Sequence, residues 1–191
     1  LYQPLDRGRC EIRLLEIVSA RTNNIIQCRF HIVPLIDDTA FTALSYVWGD
    51  SKNTEEIVVD GRSLFVTVNL ATALRKAEHH WQSQFPGRES TEFRLWADAA
   101  CINQNDIPER NSQVQLMRRL YSQAELVLSW LGTGSENEKA PDLAIEAFTL
   151  IAQNTKQCDV ELNKHWTAMQ QFFKLPYFQR VWIFQEMVLG R

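Results

Sequence analysis

The sequence predicts an α/β fold, in which helices flank a central and mostly parallel sheet and antiparallel strands are added at the N-terminus. The main observation is a strand–helix–strand pattern over residues 93–131, with a polar loop after the first strand. That succession is typical of a parallel βαβ unit. The second observation is the period-two alternation of apolar residues over 26–32, and the third is a hairpin signal at Asp60-Gly61.

Composition and charge are those of an ordinary globular protein. Hydrophobic residues make up 45% and charged residues 23% of the 191 residues, which suits one domain. The formal net charge is −3 and the basic residues are scattered, so no positive surface is predicted for nucleic acid. No apolar run approaches the length of a membrane helix, and residues 1–4 do not resemble a signal peptide. We therefore expect no nucleic-acid partner, no membrane span and a cytoplasmic location.

The cysteines and histidines show no spacing typical of a metal site. None of the four cysteines forms a CxxC pair, and the four histidines lie elsewhere in the chain. We expect no bound metal, and buried cysteines in a reducing, intracellular setting: Cys10, Cys28, Cys101 and Cys158. The missing initiator Met and the end of the chain just after Gly190 suggest a segment of a longer protein.

The N-terminal third predicts strands and one capped helix. Residues 11–18 and 26–33 suit an antiparallel hairpin, and residues 41–48 suit a third strand. A second hairpin over 56–66 has its Asp-Gly pair in a type I′ turn. Asn69 is predicted to cap a helix over residues 70–80 that buries Leu70, Ala73, Leu74 and Ala77. His79 and His80 are then expected to interact favourably with the helix dipole at the helix end, and not to bind a metal.

The central region predicts the βαβ unit. Residues 93–98 suit a strand, and residues 101–106 form its polar exit loop at the carboxyl end, where open α/β sheets bind ligands. Asp106, followed by Pro108 and Glu109, resembles a capping box. The apolar stripe of the next helix is predicted to be Ile107, Val114, Met117, Leu120 and Tyr121. Residues 126–131 form an apolar run that suits a strand covered on both faces.

The C-terminal part is predicted to be helical. After a polar stretch over 133–139, helices are expected at about 141–154, 160–174 and 178–189. We treat the whole chain as one domain with three parts: an N-terminal hairpin and lead-in (1–40), an α/β core (41–132) and a helical C-terminal part (133–191).

Two places carry polar residues that suit a binding site. Ser45 and Tyr46 lie at the exit of the third strand, where they either face a ligand cleft or simply cap and pack. Trp182 and Glu186 are four residues apart and so share one helix face. An indole beside the carboxylate would desolvate it and strengthen its attraction for a cation. The alternative is a docking helix whose Trp182 packs in the core and whose Glu186 is solvated or pairs with Arg180.

Several blocks of the sequence resemble the fungal heterokaryon-incompatibility (HET) domain in residues and in order. They cover about residues 41–189: Leu44-Ser45-Tyr46-Val47-Trp48-Gly49-Asp50, Val68-Asn69-Leu70 with Ala73-Leu74, Trp96 through Gln104, Glu109-Arg110 with Gln113, Met117 and Tyr121, Trp130-Leu131-Gly132, and Arg180-Val181-Trp182 with Gln185-Glu186. The resemblance implies a role in fungal non-self recognition and programmed cell death, as part of a larger signalling protein. It also implies a remote similarity to the flavodoxin-like Toll/interleukin-1 receptor (TIR) domain.

Some TIR domains cleave NAD+ at the nicotinamide glycosidic bond with one glutamate, which often follows a tryptophan by four residues. The resemblance therefore implies Glu186 as the catalytic carboxylate and NAD+ as a substrate, with no separate cofactor. The substrate-binding residues it implies are Ser45, Tyr46, Trp48, Asp98, Asn103 and Trp182. For Asp98 the alternative is a structural partner of a backbone amide or of Arg110. Gln104, Glu109 and Arg110 are expected to brace the loop.

The sequence departs from the TIR pattern in two ways. It shows no two further strands after the glutamate helix, so the N-terminal strands are expected to complete the sheet. The hairpin at 56–66 also lies where TIR domains usually pass directly from strand to helix. The competing hypothesis is therefore a non-enzymatic module that signals by self-association.

Overall fold

The computed structural model describes residues 1–19, 25–132, 144–146, 148–149, 162–183 and 186. The chain forms two compact units. The first contains Leu1–Gly132 and Trp182–Arg191, and the second contains Thr133–Val181. The predicted polar stretch over 133–139 lies outside the described residues, as do large parts of the predicted helices at 141–154 and 178–189.

The first unit is built on one seven-stranded sheet. Its strands lie in the order β5-β4-β2-β1-β6-β3-β7. In chain order they are β1 (Glu11–Ser19), β2 (Gln27–Pro34), β3 (Thr42–Tyr46), β4 (Thr54–Val59), β5 (Arg62–Thr67), β6 (Leu95–Trp96) and β7 (Leu126–Trp130). The mixed sheet and its flanking helices confirm the predicted α/β class.

The N-terminal strands complete the sheet, as predicted. β1 pairs antiparallel with β2, from Glu11 opposite Pro34 to Ser19 opposite Gln27. The other side of β1 pairs antiparallel with β6 through Leu15 and Leu95. The hairpin thus joins the parallel group of β6, β3 and β7 to the outer β4–β5 pair.

The second hairpin has the predicted tight turn. β4 and β5 pair antiparallel from Thr54–Thr67 to Val59–Arg62. Asp60 and Gly61 both have positive φ, at 50° and 73°. Two consecutive positive φ values are what a type I′ turn requires, and this explains why Asp-Gly occurs here.

The first helix begins earlier and ends later than predicted. Helix α1 spans Val68–Gln84, and its N-cap is Thr67, whose hydroxyl accepts a hydrogen bond from the Leu70 amide at 3.3 Å. Asn69 is therefore not the cap. The predicted buried stripe is confirmed, and Trp81 extends it. His79 and His80 do not end the helix, because it runs on to Gln84.

The strand after α1 is shorter than predicted. β6 contains two residues, and Asp98 already begins a one-turn helix, α2 (Asp98–Cys101). The predicted strand over 93–98 was thus wrong in its extent. Trp96 is nevertheless buried in the core, where its ring contacts Tyr121 edge-on at 5.8 Å between centroids.

Helix α3 spans Ile107–Gln123 and starts at the predicted cap. The Asp106 carboxylate accepts a hydrogen bond from the Glu109 amide at 2.9 Å. The predicted apolar stripe is only partly right, because Ile107 is 59% and Val114 is 37% exposed. The buried face instead includes two polar residues beside the apolar ones: Glu109, Gln113, Met117, Leu120 and Tyr121.

β7 lies at one end of the sheet. Four of its five residues are half-buried and Ser129 is exposed, so the prediction of a strand covered on both faces was wrong. β3 pairs parallel with β6 on one side and with β7 on the other. The βαβ unit of β6, α3 and β7 therefore has β3 between its strands.

This arrangement creates a topological switch point at β3. The chain passes from β3 to β6 on one side and then to β7 on the opposite side. In open α/β sheets, ligands bind outside the carboxyl ends of strands at such a point. The carboxyl end of β3 is therefore where the fold favours a site.

The second unit contains helix α4 (Leu162–Phe173), which confirms the predicted helix near 160–174. A short 3₁₀ turn, Pro176–Gln179, follows where an α-helix was predicted to begin. Aromatic rings pack together in this unit, with Phe172 and Phe178 4.8 Å apart between centroids. None of the helices in the described parts of the chain has the length and apolar character needed to cross a membrane.

Candidate functional site

Strand β3 delivers two polar residues to the switch point. Ser45 and Tyr46 are its last two residues, and both are buried. Because side chains alternate along a strand, their side chains leave opposite faces of the sheet. The structure accordingly builds two clusters on this strand end, one around each residue.

The first cluster pairs Ser45 with Glu186. The Ser45 hydroxyl donates a short hydrogen bond to Oε2 of Glu186 across 141 positions of sequence. Glu186 is 1% exposed and Ser45 is fully buried. A buried carboxylate requires such donors, since an unpaired charge is costly to remove from water. The predicted catalytic carboxylate thus lies at the carboxyl end of the central parallel strand.

Trp182 lies one helical turn before Glu186. The Glu186 amide donates to the Trp182 carbonyl at 3.2 Å, the hydrogen bond of an α-helical turn. The Trp182 side chain is 46% exposed, in contrast to the buried carboxylate. The docking-helix alternative placed Trp182 in the core and left Glu186 either in solvent or paired with Arg180. The exposure of Trp182 and the burial of Glu186 contradict the first two features, and the pairing with Arg180 stays a prediction.

The second cluster joins Trp48, Asp98 and Tyr46. The indole Nε1 of Trp48 donates to Oδ2 of Asp98 at 2.8 Å. Asp98 Oδ1 accepts from the amide of Ala99, also at 2.8 Å, so Asp98 has a backbone-amide partner as well as the indole. Burial and the neighbouring Asp98 carboxylate raise the pKa of Tyr46 well above its ordinary value. Tyr46 is therefore a neutral phenol at physiological pH, held beside a carboxylate.

The loop after β6 is braced by a buried ion pair. Glu109 is 6% exposed and bonds Arg13 through both oxygens, at 2.5 and 2.9 Å. The same carboxylate accepts from the Asn103 amide at 2.7 Å, and the Gln104 side chain donates to the Asp98 carbonyl at 2.9 Å. The predicted bracing roles of Gln104 and Glu109 are confirmed.

Asn103 and Arg110 differ from their neighbours in the loop. The Asn103 side-chain oxygen accepts from the Asn105 amide at 3.3 Å, so this residue shapes its own loop. Arg110 is exposed, and its amide donates to the Asp106 carbonyl as part of the helix start.

Two residues that matter in this region were not identified as such from the sequence. Arg13, the third residue of β1, is 1% exposed, and its guanidinium also donates to the Cys101 carbonyl at 3.2 Å. Its signal was an arginine between Ile12 and Leu14, since a charge within an apolar strand needs a buried partner. Asn69 is the second, and its assignment as a helix cap concealed it.

The hollows that are lined wholly by described residues include the following three. One of about 270 Å³ lies between α1 and β7, with Leu44, Leu128 and Trp130 among its walls. The other two, of about 440 and 160 Å³, lie near the N-terminal lead-in, at the start of α3 and beside Arg13. None of the seven predicted site residues lines any of the three. The described residues also hold no group of three His, Cys, Asp or Glu side chains suited to a metal ion.

The fold and these clusters define an α/β domain with a buried carboxylate at the switch point of its sheet. Comparison with known families gives this class a name. The family described as heterokaryon incompatibility protein (HET) matches residues 41–186. The chain therefore belongs to the HET family, which confirms the resemblance found in its sequence.

A fungal relative is similar in sequence to most of this chain. Heterokaryon incompatibility protein 6, OR allele, of Neurospora crassa is 33% identical over 172 residues, which cover 85% of this chain. The match covers 25% of the relative, so the chain spans about a quarter of that protein's length. No solved structure matches the chain.

Proposed function

We propose that this domain is an effector of fungal non-self recognition that triggers programmed cell death. Its membership of the HET family and the name of its N. crassa relative support this role. Because the matched relative is about four times longer than the matched region, we expect the domain to act inside a larger protein. Its partners would then be further copies of itself or other signalling domains.

We further propose that the domain hydrolyses NAD+ at the nicotinamide glycosidic bond, with Glu186 as the catalytic carboxylate. The observation that carries this proposal is the hydrogen bond between Glu186 and Ser45 at the carboxyl end of β3. It supports the proposal because a carboxylate held rigidly by a hydroxyl is preorganised for charge stabilisation.

The chemistry requires a fixed anion rather than an acid. The bond from the ribose C1′ to the pyridinium nitrogen breaks, and both electrons leave with nicotinamide, which departs as a neutral ring. Positive charge then develops on the ribosyl carbon, and the Glu186 carboxylate stabilises it electrostatically. Water adds to C1′ and releases one proton, so the products are ADP-ribose and nicotinamide.

The other residues are assigned supporting roles. The half-exposed indoles of Trp48 and Trp182 offer faces on which the pyridinium or the adenine would stack. Asp98, which begins α2 after β6, would accept hydrogen bonds from ribose hydroxyls, and the amide side chain of Asn103 would accept or donate them. Tyr46 acts through Asp98, whose carboxylate it adjoins.

The burial of Glu186 bears on when the reaction occurs. At 1% exposure its carboxylate is closed to a nucleotide. We therefore propose that this structure is a resting form and that assembly into clusters uncovers Glu186. Dilute protein should then turn over NAD+ more slowly than clustered protein.

The test is nicotinamide release from NAD+ by the domain in dilute solution and fused to a chemically induced oligomeriser. We expect release from the clustered wild type, with ADP-ribose in equal amount, and its loss in Glu186→Gln. Glu78→Gln, a half-buried glutamate on α1, serves as the matched control and should remain active. Absence of release from the clustered wild type, or full activity of Glu186→Gln, would overturn the proposal.

The second candidate is a non-enzymatic module that signals by self-association. The burial of Glu186 against Ser45 favours it, because a purely structural carboxylate would be placed in the same way. Cell death that persists in the clustered Glu186→Gln variant, without nicotinamide release, is the result this candidate predicts.

A further inference from the structure

Asn69 connects the exits of two neighbouring strands. Its Nδ2 donates to the carbonyl of Val47, just after β3, at 2.5 Å. Its Oδ1 accepts from the indole Nε1 of Trp130, the last residue of β7, at 2.9 Å. A side chain that uses both its donor and its acceptor in this way is held in one orientation.

The loop between β3 and β4 is fixed at both ends on the first turn of α1. Besides the bond from Asn69 to Val47, the Val68 amide donates to the Asn53 carbonyl at 3.0 Å. Gly49 lies against Asn69, since a Cβ on Gly49 would come within 3.3 Å of the Asn69 Cβ. The positive φ of Gly49, 83°, adds a second reason for glycine at this close approach.

Trp48 is located between these two attachment points. Its indole is 43% exposed, yet its Nε1 is aimed at Asp98 at 2.8 Å. A half-exposed side chain on a loop keeps such an aim only where its backbone is held. The backbone carbonyl next to Trp48 in sequence is the one that Asn69 binds.

We propose that Asn69 is a positioning residue, which holds Trp48 against Asp98 so that the indole presents a fixed face to a bound nucleotide. This inference rests on the proposed NAD+ site for its functional meaning, although the positioning itself is independent of turnover. Helix capping does not explain Asn69, because Thr67 already caps α1.

Two substitutions separate the two contacts of Asn69. Asn69→Asp keeps an acceptor for the Trp130 indole but loses the donor to Val47, and Asn69→Ala loses both. Asn111→Asp, an exposed asparagine on α3, is the charge-matched control, and Thr67→Ala tests for loss of the helix cap alone. If Asn69→Ala does not fold, the inference is tested on Asn69→Asp alone.

The readout is the set of indole N–H signals in ¹⁵N–¹H spectra, assigned by single Trp→Phe substitutions. In Asn69→Asp we expect the Trp48 signal to move towards that of a free indole, while the Trp130 signal remains that of a hydrogen-bonded indole because the carboxylate still accepts from it. Both signals should move towards that of a free indole in Asn69→Ala, and neither should in the two controls. An unchanged Trp48 signal in both Asn69 variants would overturn the inference, whether or not the domain is an enzyme.

Kinetics then link the position of Trp48 to the site. If the wild type releases nicotinamide, the KM for NAD+ should rise by about tenfold in Asn69→Asp, the loss expected for one aromatic contact, with a smaller change in kcat. An unchanged KM alongside a displaced Trp48 signal would contradict a role in substrate binding. Failure of all variants to release nicotinamide would instead count against the proposed function.

Discussion

The Ser45–Glu186 pair is a hydrogen bond between two buried polar side chains that are distant in sequence. Ser45 is contributed by the central strand, and Glu186 by a turn 141 residues further on. Neither side chain is exposed enough to be satisfied by bulk water. Each therefore depends on its protein partners, and the loss of a buried partner costs far more than the loss of one on the surface.

Ser45→Ala is expected to destabilise the domain by about 1–3 kcal/mol, because it removes a donor from a buried carboxylate. Glu186→Gln and the double variant complete a double-mutant cycle with a coupling energy of about 1–2 kcal/mol. Urea unfolding followed by circular dichroism measures both quantities.

The control for that cycle is an equivalent pair on the surface. Ser63 donates to Glu56 on the exposed β4–β5 hairpin, so Ser63→Ala should hardly change the unfolding midpoint. Equal effects of Ser45→Ala and Ser63→Ala would show that the buried pair contributes nothing particular to stability.

At the scale of elements, a charged cluster joins β1, β2 and the residue before β6. Glu16 on β1 lies 2.5 Å from Nε2 of His31 and 3.3 Å from Arg29, both on β2, and 3.9 Å from Arg94. Burial acts to raise the pKa of Glu16, but the hydrogen bond to His31 and the charges of Arg94 and Arg29 outweigh it. The pKa of Glu16 is therefore lowered from its ordinary value of 4.5.

The lowered pKa sets the direction of a pH effect. A carboxylate with a depressed pKa in the folded state stabilises the fold above about pH 4.5, and this stabilisation is lost as the pH falls through the folded value. Glu16→Gln should therefore be less stable than the wild type at pH 7 and equally stable at strongly acidic pH. Urea titrations across pH 2–7 test this, with Glu78→Gln as the control. A constant difference across that range would contradict the linkage.

Local sequence patterns predicted an element correctly where only one assignment of the residues was favourable. Asp60-Gly61 predicted its turn because few other residue pairs accept two positive φ values. The helix cap was misassigned because Thr67 and Asn69 are both good caps, and the structure needs the amide of Asn69 between two strand exits. The stripe of α3 failed at Ile107 and Val114, since the helix turns Glu109 and Gln113 inward to meet β1.

At the scale of the whole molecule, the sheet depends on pairings distant in sequence. β1 lies between β2 and β6, and β3 lies between β6 and β7. The three parallel strands have the first one in the middle, the order found at the start of flavodoxin-like sheets. No periodicity in the sequence specifies such an order. The similarity to the TIR domain stays a prediction.

The same limit applies to the site. Spacing alone placed Trp182 and Glu186 on one helix face, but it could not predict that Glu186 contacts Ser45. The order of the family blocks made Ser45 and Glu186 candidates together, and the structure joins them. Local sequence could not identify the partners in the bond from Trp48 to Asp98 or in the ion pair of Arg13 with Glu109, because each joins residues 50 or more positions apart.

The most direct test of the account is the rate of nicotinamide release at saturating NAD+ by clustered Glu186→Gln, with its fold confirmed by circular dichroism. We expect a kcat at least about a hundredfold below that of the clustered wild type, the loss expected when a charge-stabilising group is removed. We also expect a KM close to the wild-type value. A Glu186→Gln variant that releases nicotinamide at the wild-type rate would contradict the proposed role of Glu186 as the catalytic carboxylate.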